Sequence, residues 1–185
     1  MELSVGTRER KTKSEIKKIR REGSIPAIIY SEGKVGQTIT VNGVAMKKVL
    51  QKIQPGTLST TIFMLDHAGV KKRAIVKDIQ YNITTYEVIH LDFIELLDKV
   101  EVTLNVPIQF TGVMECAGVK QGGGLRQVIR TLRVRCLPEH IPTHFEIDVK
   151  DLGLGESRRL ADIATPASVT PIANLKEIVA IVAKI

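Results

Sequence analysis

Residues 71–93 read KKRAIVKDIQYNITTYEVIHLDF, and this stretch decides the fold class. KKRAIVKDIQY (71–81) and YEVIHLDF (86–93) are rich in β-branched and aromatic residues, so both read as strands. On the second strand, Ile89, Leu91 and Phe93 fall on one face and His90 and Asp92 on the other, because side chains alternate. The apolar face is expected in a core, which leaves His90 and Asp92 presented together.

Toward the N-terminus the pattern continues. TTIFMLD (60–66) is a further strand, closed by a turn at His67 to Gly69. IPAIIY (25–30) reads as a buried strand, SEGKVG (31–36) as a turn and QTITV (37–41) as a second strand, together a hairpin. Asn42 then opens GVAMKKVLQKI (43–53), where Ala45, Val49 and Ile53 recur at helical spacing before Pro55-Gly56 ends the helix. Arg8 to Arg21 (RERKTKSEIKKIRR) holds eight basic and two acidic residues. Ile16 and Ile19 give it a thin apolar edge, with Ser14 as N-cap and Gly23 as stop. Two apolar residues cannot anchor a membrane-surface helix, which needs a broad hydrophobic face.

Toward the C-terminus, VEVTLNVPIQF (100–110) alternates as a half-buried strand does, with Pro107 toward an edge or bulge. TLRVRCL (131–137), HFEIDV (144–149), a turn at LGLGES (152–157) and IVAIVAKI (178–185) follow as short apolar segments at sandwich-like spacing. The reading is mainly β with a few short helices, in two domains, 1–94 and 95–185, divided at ELLDK.

The charge is segregated in the same way. Of 185 residues, 27 are Lys or Arg and 20 Asp or Glu, a net +7. Residues 1–94 hold 16 basic against 9 acidic residues, whereas residues 95–185 hold 11 of each. The whole excess lies in the first half. Segregated positive charge fits a polyanion, RNA, DNA or an anionic membrane surface, because each cation near a phosphate releases condensed counterions. Aromatic residues make up 4% and Trp is absent, which disfavours a large base-stacking platform or an aromatic-lined ligand pocket. MELSVGTRERKTK lacks the apolar core of a signal peptide, and no stretch is long enough to cross a bilayer, so a soluble cytoplasmic protein is expected. Cys116 and Cys136 then read as two small apolar side chains rather than a disulfide.

Three constellations could carry chemistry. His90 beside Asp92 suggests a general base, but no Ser, Cys or Thr nucleophile stands in a recognisable motif around it. As RNA contacts the pair makes better sense, since a carboxylate accepts from base amino groups and an imidazole hydrogen-bonds or stacks. His140 and His144 have the spacing of helix-borne metal ligands, but Pro142 between them spoils the helix. KQGGGLR (120–126) lacks the Gly-Lys-Ser/Thr ending of a P-loop and the spacing of a dinucleotide site, so it reads as a sharp turn or bulge. No catalytic site, metal or cofactor is expected.

Arg8 with the basic run into IRREGSIPAIIY (19–30), VKDIQ (76–80), HLDF (90–93), VPIQFTGV (106–113), GVKQGGGL (118–125), LPEHIP (137–142) and FEIDVKDLGLGE (145–156) stand in one order and spacing. In that arrangement the chain resembles the bacterial large-subunit ribosomal proteins that bind 5S rRNA, in the long form also described as general stress proteins. The resemblance implies a six-stranded N-terminal β-barrel with short helices and a second, β-rich domain. It further implies docking on the loop E region of 5S rRNA, non-Watson–Crick pairs read through the minor groove. Arg8, Lys13, Arg20, Arg21, Tyr30, His90 and Asp92 match the family's contacts, the cations on phosphates and the other three near sugars or base edges. Ser31 stands where the family usually has Gly after the tyrosine, and Ile83 where a proline commonly follows VKDIQ. The expected partners are 5S rRNA and the large ribosomal subunit, with neighbouring ribosomal proteins as candidates for the second domain. Two rivals stay open at this stage: a free RNA-binding stress or translation factor whose second domain binds protein, and an RNA-directed enzyme using His90 and Asp92.

Overall fold

A computed structural model describes residues 1–8, 12–31, 35–67 and 69–184. Parts of four sequence expectations lie outside the described residues: the start of the basic run (9–11), the centre of the SEGKVG turn (32–34), position 68 of the His67–Gly69 turn and the last residue of IVAIVAKI (185). The chain forms two compact units, Met1–Val100 and Glu101–Ile185.

The first unit is a closed barrel. Its strands are β1 (Glu2–Thr7), β2 (Ser24–Tyr30), β3 (Gln37–Asn42), β4 (Ile62–His67), β5 (Val70–Tyr81) and β6 (Val88–Glu95), in the order β1-β3-β2-β6-β5-β4 around the wall. β2 and β3 form the expected antiparallel pair. β1, which the sequence reading did not anticipate, closes the wall by pairing antiparallel with β3 and parallel with β4. The interior is filled by Leu3, Ile25, Ala27, Ile29, Ile39, Val41, Phe63, Leu65, Ala74, Val76, Leu91 and Phe93, the inward residue of every second position. Phe63 and Phe93 meet edge to face at its centre, with ring centroids 6.1 Å apart.

Two helices attach to this wall. α1 (Lys13–Arg21) starts earlier than a cap at Ser14 would have set it: Thr12 is the N-cap, and its backbone N–H and hydroxyl both donate to the Glu15 carboxylate. Glu three residues beyond the cap is what the Thr12 position offers and Ser14 does not. Gly23, with φ 78°, ends the helix as expected. α2 (Gly43–Lys52) is capped by Asn42, whose side-chain oxygen accepts from the Ala45 N–H at 3.0 Å.

The second unit contains β7 (Val102–Thr111), α3 (Ala117–Lys120), β8 (Gly123–Gln127), β9 (Thr131–Cys136), β10 (Phe145–Asp148), β11 (Ser157–Arg159), β12 (Val169–Pro171) and β13 (Ile178–Lys184). They form a four-stranded sheet, β10-β7-β9-β12, and a three-stranded sheet, β11-β13-β8. Pro107 does not lie on an edge strand, since β7 has a neighbour on each side. It is the last residue paired with β9, just before the β10 ladder begins at Ile108, so its missing N–H falls at the handover. The glycine run is likewise more than a turn. Gly122 turns the chain with φ 87°, but Gly123 and Gly124 pair with β13. A Cβ at Gly123 would sit 2.5 Å from Leu154 Cδ2 and 2.7 Å from Val182 Cγ1, so glycine is there to let β8 pack closely. Cys116 and Cys136 are buried and unpaired.

Candidate nucleic-acid interface

Two irregularities in the β5–β6 ladder shape the outer wall. Val76 pairs with Phe93 and Asp78 with Asp92, so Lys77 is an extra residue on β5; Gln80 pairs with His90 and Tyr81 with Val88, so Ile89 is an extra residue on β6. The second bulge corrects one sequence expectation: Val88, not Ile89, packs against the core with Leu91 and Phe93. Beyond the bulge the alternation resumes, and His90 and Asp92 do point outward together.

The pair registers then define a row across the wall. Arg8 donates its backbone N–H to Thr38 at 3.1 Å, Thr38 lies opposite Ile28, Ile28 opposite Asp92, and Asp92 opposite Asp78. Neighbouring strands stand about 4.8 Å apart, so the row runs from the Arg8 backbone to the two aspartates over on the order of 20 Å of curved wall. In the adjacent row Gln80 faces His90.

His90 Nδ1 lies 2.7 Å from Asp92 Oδ1. The carboxylate accepts there, so Nδ1 carries the hydrogen. Tyr30, at the end of β2, has its phenol pushed above its ordinary range, first by burial and then by the negative charges of Asp92 and Asp78. It therefore remains an O–H donor at neutral pH. Two carboxylates directly opposite on adjacent strands repel each other. That cost is offset where a ligand brings donors to them.

Some basic residues of the unit are paired and others are not; on α1, Lys18 lies 3.9 Å from Glu22. On β5, Lys71 pairs with Glu2, Lys72 with Glu95 and Arg73 with Asp98. Arg8, Lys13, Arg20 and Arg21 have no ion pair among the described residues. Lys13, Arg20 and Arg21 are exposed on α1, which packs against β2. Pro26, on the outer side of β2, is buried all the same. Arg20 Nε donates to the Ile89 carbonyl at 3.1 Å, a group the bulge leaves out of the ladder. This bond ties the end of the basic helix to the strand that carries His90. Arg8 Nε is buried without an acceptor among the described residues.

All seven residues singled out from the sequence thus belong to the barrel unit. Tyr30, His90 and Asp92 share one outer wall, Arg20 is joined to it through Ile89, Lys13 and Arg21 stand on the same helix, and Arg8 lies at the far end of the Asp92 row. Sequence reasoning missed Asp78 and Gln80. Their signal was present in VKDIQ, but the Lys77 bulge that sets them opposite Asp92 and His90 cannot be counted from the residues. Ser31 is buried and has no left-handed backbone, so the glycine usual there is not required by this turn. His140 is exposed, and His144 pairs through Nε2 with Glu146 at 3.1 Å; no group of three metal-ligating side chains occurs among the described residues. No helix among them is long and apolar enough to cross a membrane.

Residues 3–93 match the Ribosomal L25p family, and residues 101–185 match the C-terminal domain of ribosomal protein TL5. Over its full length the chain is 48% identical to the large ribosomal subunit protein bL25 of Chlamydia trachomatis serovar A, covering all of that protein. It is 50% identical to the bL25 of Chlamydia caviae over the whole of both chains, and 50% identical to that of Chlamydia pneumoniae over 96% of each.

Proposed function

The chain belongs to the bL25 family of large-subunit ribosomal proteins, and from that premise we propose that its barrel binds 5S rRNA at loop E through the β2–β6–β5 wall and α1. A member of this family is a structural constituent of the large ribosomal subunit and not an enzyme. The observation that carries the finer reading is a wall of acceptors inside a cationic frame. Asp92 and Asp78 lie at outward positions of β6 and β5, with His90 hydrogen-bonded to Asp92, while Lys13, Arg20 and Arg21 are exposed on α1 and, like Arg8, have no ion pair among the described residues.

Phosphates would be repelled by Asp78 and Asp92, so those carboxylates must meet donors. The minor groove of an RNA helix is wide and shallow and displays 2′-hydroxyls and base edges, including the guanine amino group. Non-Watson–Crick pairs vary those edges and the groove width, which suits a rigid wall better than a uniform duplex does. The cations then fix register on the flanking phosphates. Tyr30, kept as a phenol, adds a donor to a sugar or base oxygen.

Gel-shift titration of the full chain tests this, using 5S rRNA and a variant whose loop E is rewritten as Watson–Crick pairs, at two salt concentrations. Tighter binding to the native RNA at both salts is expected. Equal affinity for the two RNAs would leave only nonspecific charge attraction.

A further inference from the structure

The β5–β6 hairpin extends past the wall in a tip of unusual composition. Tyr86 is 80% exposed, Ile83 91% and Tyr81 45%. The tip is nonetheless ordered by its own hydrogen bonds. Asn82 N–H donates to the Glu87 carbonyl at 2.8 Å, Tyr86 N–H donates to the Asn82 carbonyl at 2.9 Å, and Asn82 Oδ1 accepts from Thr84 N–H at 2.9 Å.

Tyr86 has φ 55°, and it is the one non-glycine residue with positive φ among the described residues. Bulky side chains avoid this conformation, which Gly or Asn adopts without difficulty. Six glycines elsewhere in the chain supply it. A tyrosine here adds nothing to the core and strains the backbone, so its ring has a use outside the fold.

The surroundings indicate which use. Phe63, Phe93 and Phe145 are buried, and every exposed aromatic ring among the described residues is on this hairpin. Ile89, whose carbonyl holds Arg20, is two residues from Glu87 at the hairpin's root, so the Arg20 guanidinium stands next to the tip. Glu87, the only charge in the loop, is within 3.3 Å of the Thr85 hydroxyl. Flat aromatic faces beside an arginine suit a nucleobase and its phosphate, and the tip continues the strands that carry Gln80 and His90.

We infer that Tyr86, Tyr81 and Ile83 form a small stacking platform for a nucleobase that is unpaired or turned out of its helix, adjoining the groove-facing wall. The inference rests on the reading that the wall binds RNA. It adds a contact to bases where the wall reads groove edges, and the contact is carried by stacking rather than by charge.

The test uses the full chain and 5S rRNA, with gel shifts and intrinsic fluorescence. The chain has three tyrosines and no tryptophan, so its emission reports on Tyr30, Tyr81 and Tyr86 alone. RNA should quench that emission. Tyr86→Asn, which tolerates the same backbone, should weaken binding roughly tenfold, remove much of the quenching and leave the salt slope unchanged. Ile83→Asn should weaken binding less. If both variants bind 5S rRNA as the parent does, the platform is overturned while the wall stands. If they bind the free RNA normally but are lost from the salt-washed large subunit, the tip meets a protein, and the inference is equally overturned. A parent that does not bind 5S rRNA removes wall and platform together.

Discussion

The two units are both β-rich and similar in length, yet they place their charge and polarity differently. The whole net charge of +7 falls within residues 1–94 of the first, which closes its sheet into a barrel with no free edge. The second is close to electrically balanced and keeps two open sheets with exposed cations, such as Arg133 and Arg135 on β9, set among Thr103 and Asn105. Exposed cations alone therefore do not distinguish the units. What distinguishes the barrel is acceptors placed inside the positive frame.

The largest expected effect comes from the barrel's centre. Phe93→Ala removes a fully buried ring packed against Phe63 on the strand that carries His90 and Asp92. A loss of about 3–5 kcal/mol is expected in denaturant unfolding of the first unit, with loss of RNA binding. Retained binding would mean that the wall does not need its core to hold shape.

Asp92→Ala is next. It should cost about 1–3 kcal/mol in affinity for 5S rRNA and little for a random duplex, measured side by side. Equal losses on both RNAs would deny Asp92 a role in reading base edges. Arg20→Ala combined with Arg21→Ala should weaken binding to both RNAs and lower the salt slope by about one for each phosphate no longer neutralised. Because Arg20 also holds Ile89, Arg21→Ala alone isolates the charge effect, and an unchanged slope there would take Arg21 off the phosphates. The smallest effect is expected from the other unit: Arg133→Ala with Arg135→Ala should leave 5S rRNA affinity within about twofold of the parent. A loss as large as that from Arg20 and Arg21 would erase the contrast between the units.

Much of this contrast was legible in the residues. The charge asymmetry, the β2–β3 hairpin, the Asn42-capped helix and the outward pairing of His90 with Asp92 follow from composition, turn chemistry and period-two alternation. What was hidden is non-local. β1 is short and contributes only Leu3 fully to the core, and it exists as a strand because β3 and β4 offer it a gap. The bulges at Lys77 and Ile89 shift register by one residue each, which swaps Val88 for Ile89 in the core and sets Asp78 against Asp92. The bond from Arg20 to the Ile89 carbonyl depends on the bulge and has no signal in the residues around Arg20. In the second unit Gly123 of KQGGGLR is explained by Leu154 and Val182, about 30 and 60 residues further along the chain.

Amide NMR of the full chain, titrated with a short RNA duplex containing loop E, tests the central claim most directly. Shifts concentrated in residues 12–31 and 76–95, with residues 101–185 unmoved, are the expected result. Shifts centred on the strands of the second unit, or on the β4 side of the barrel, would contradict it.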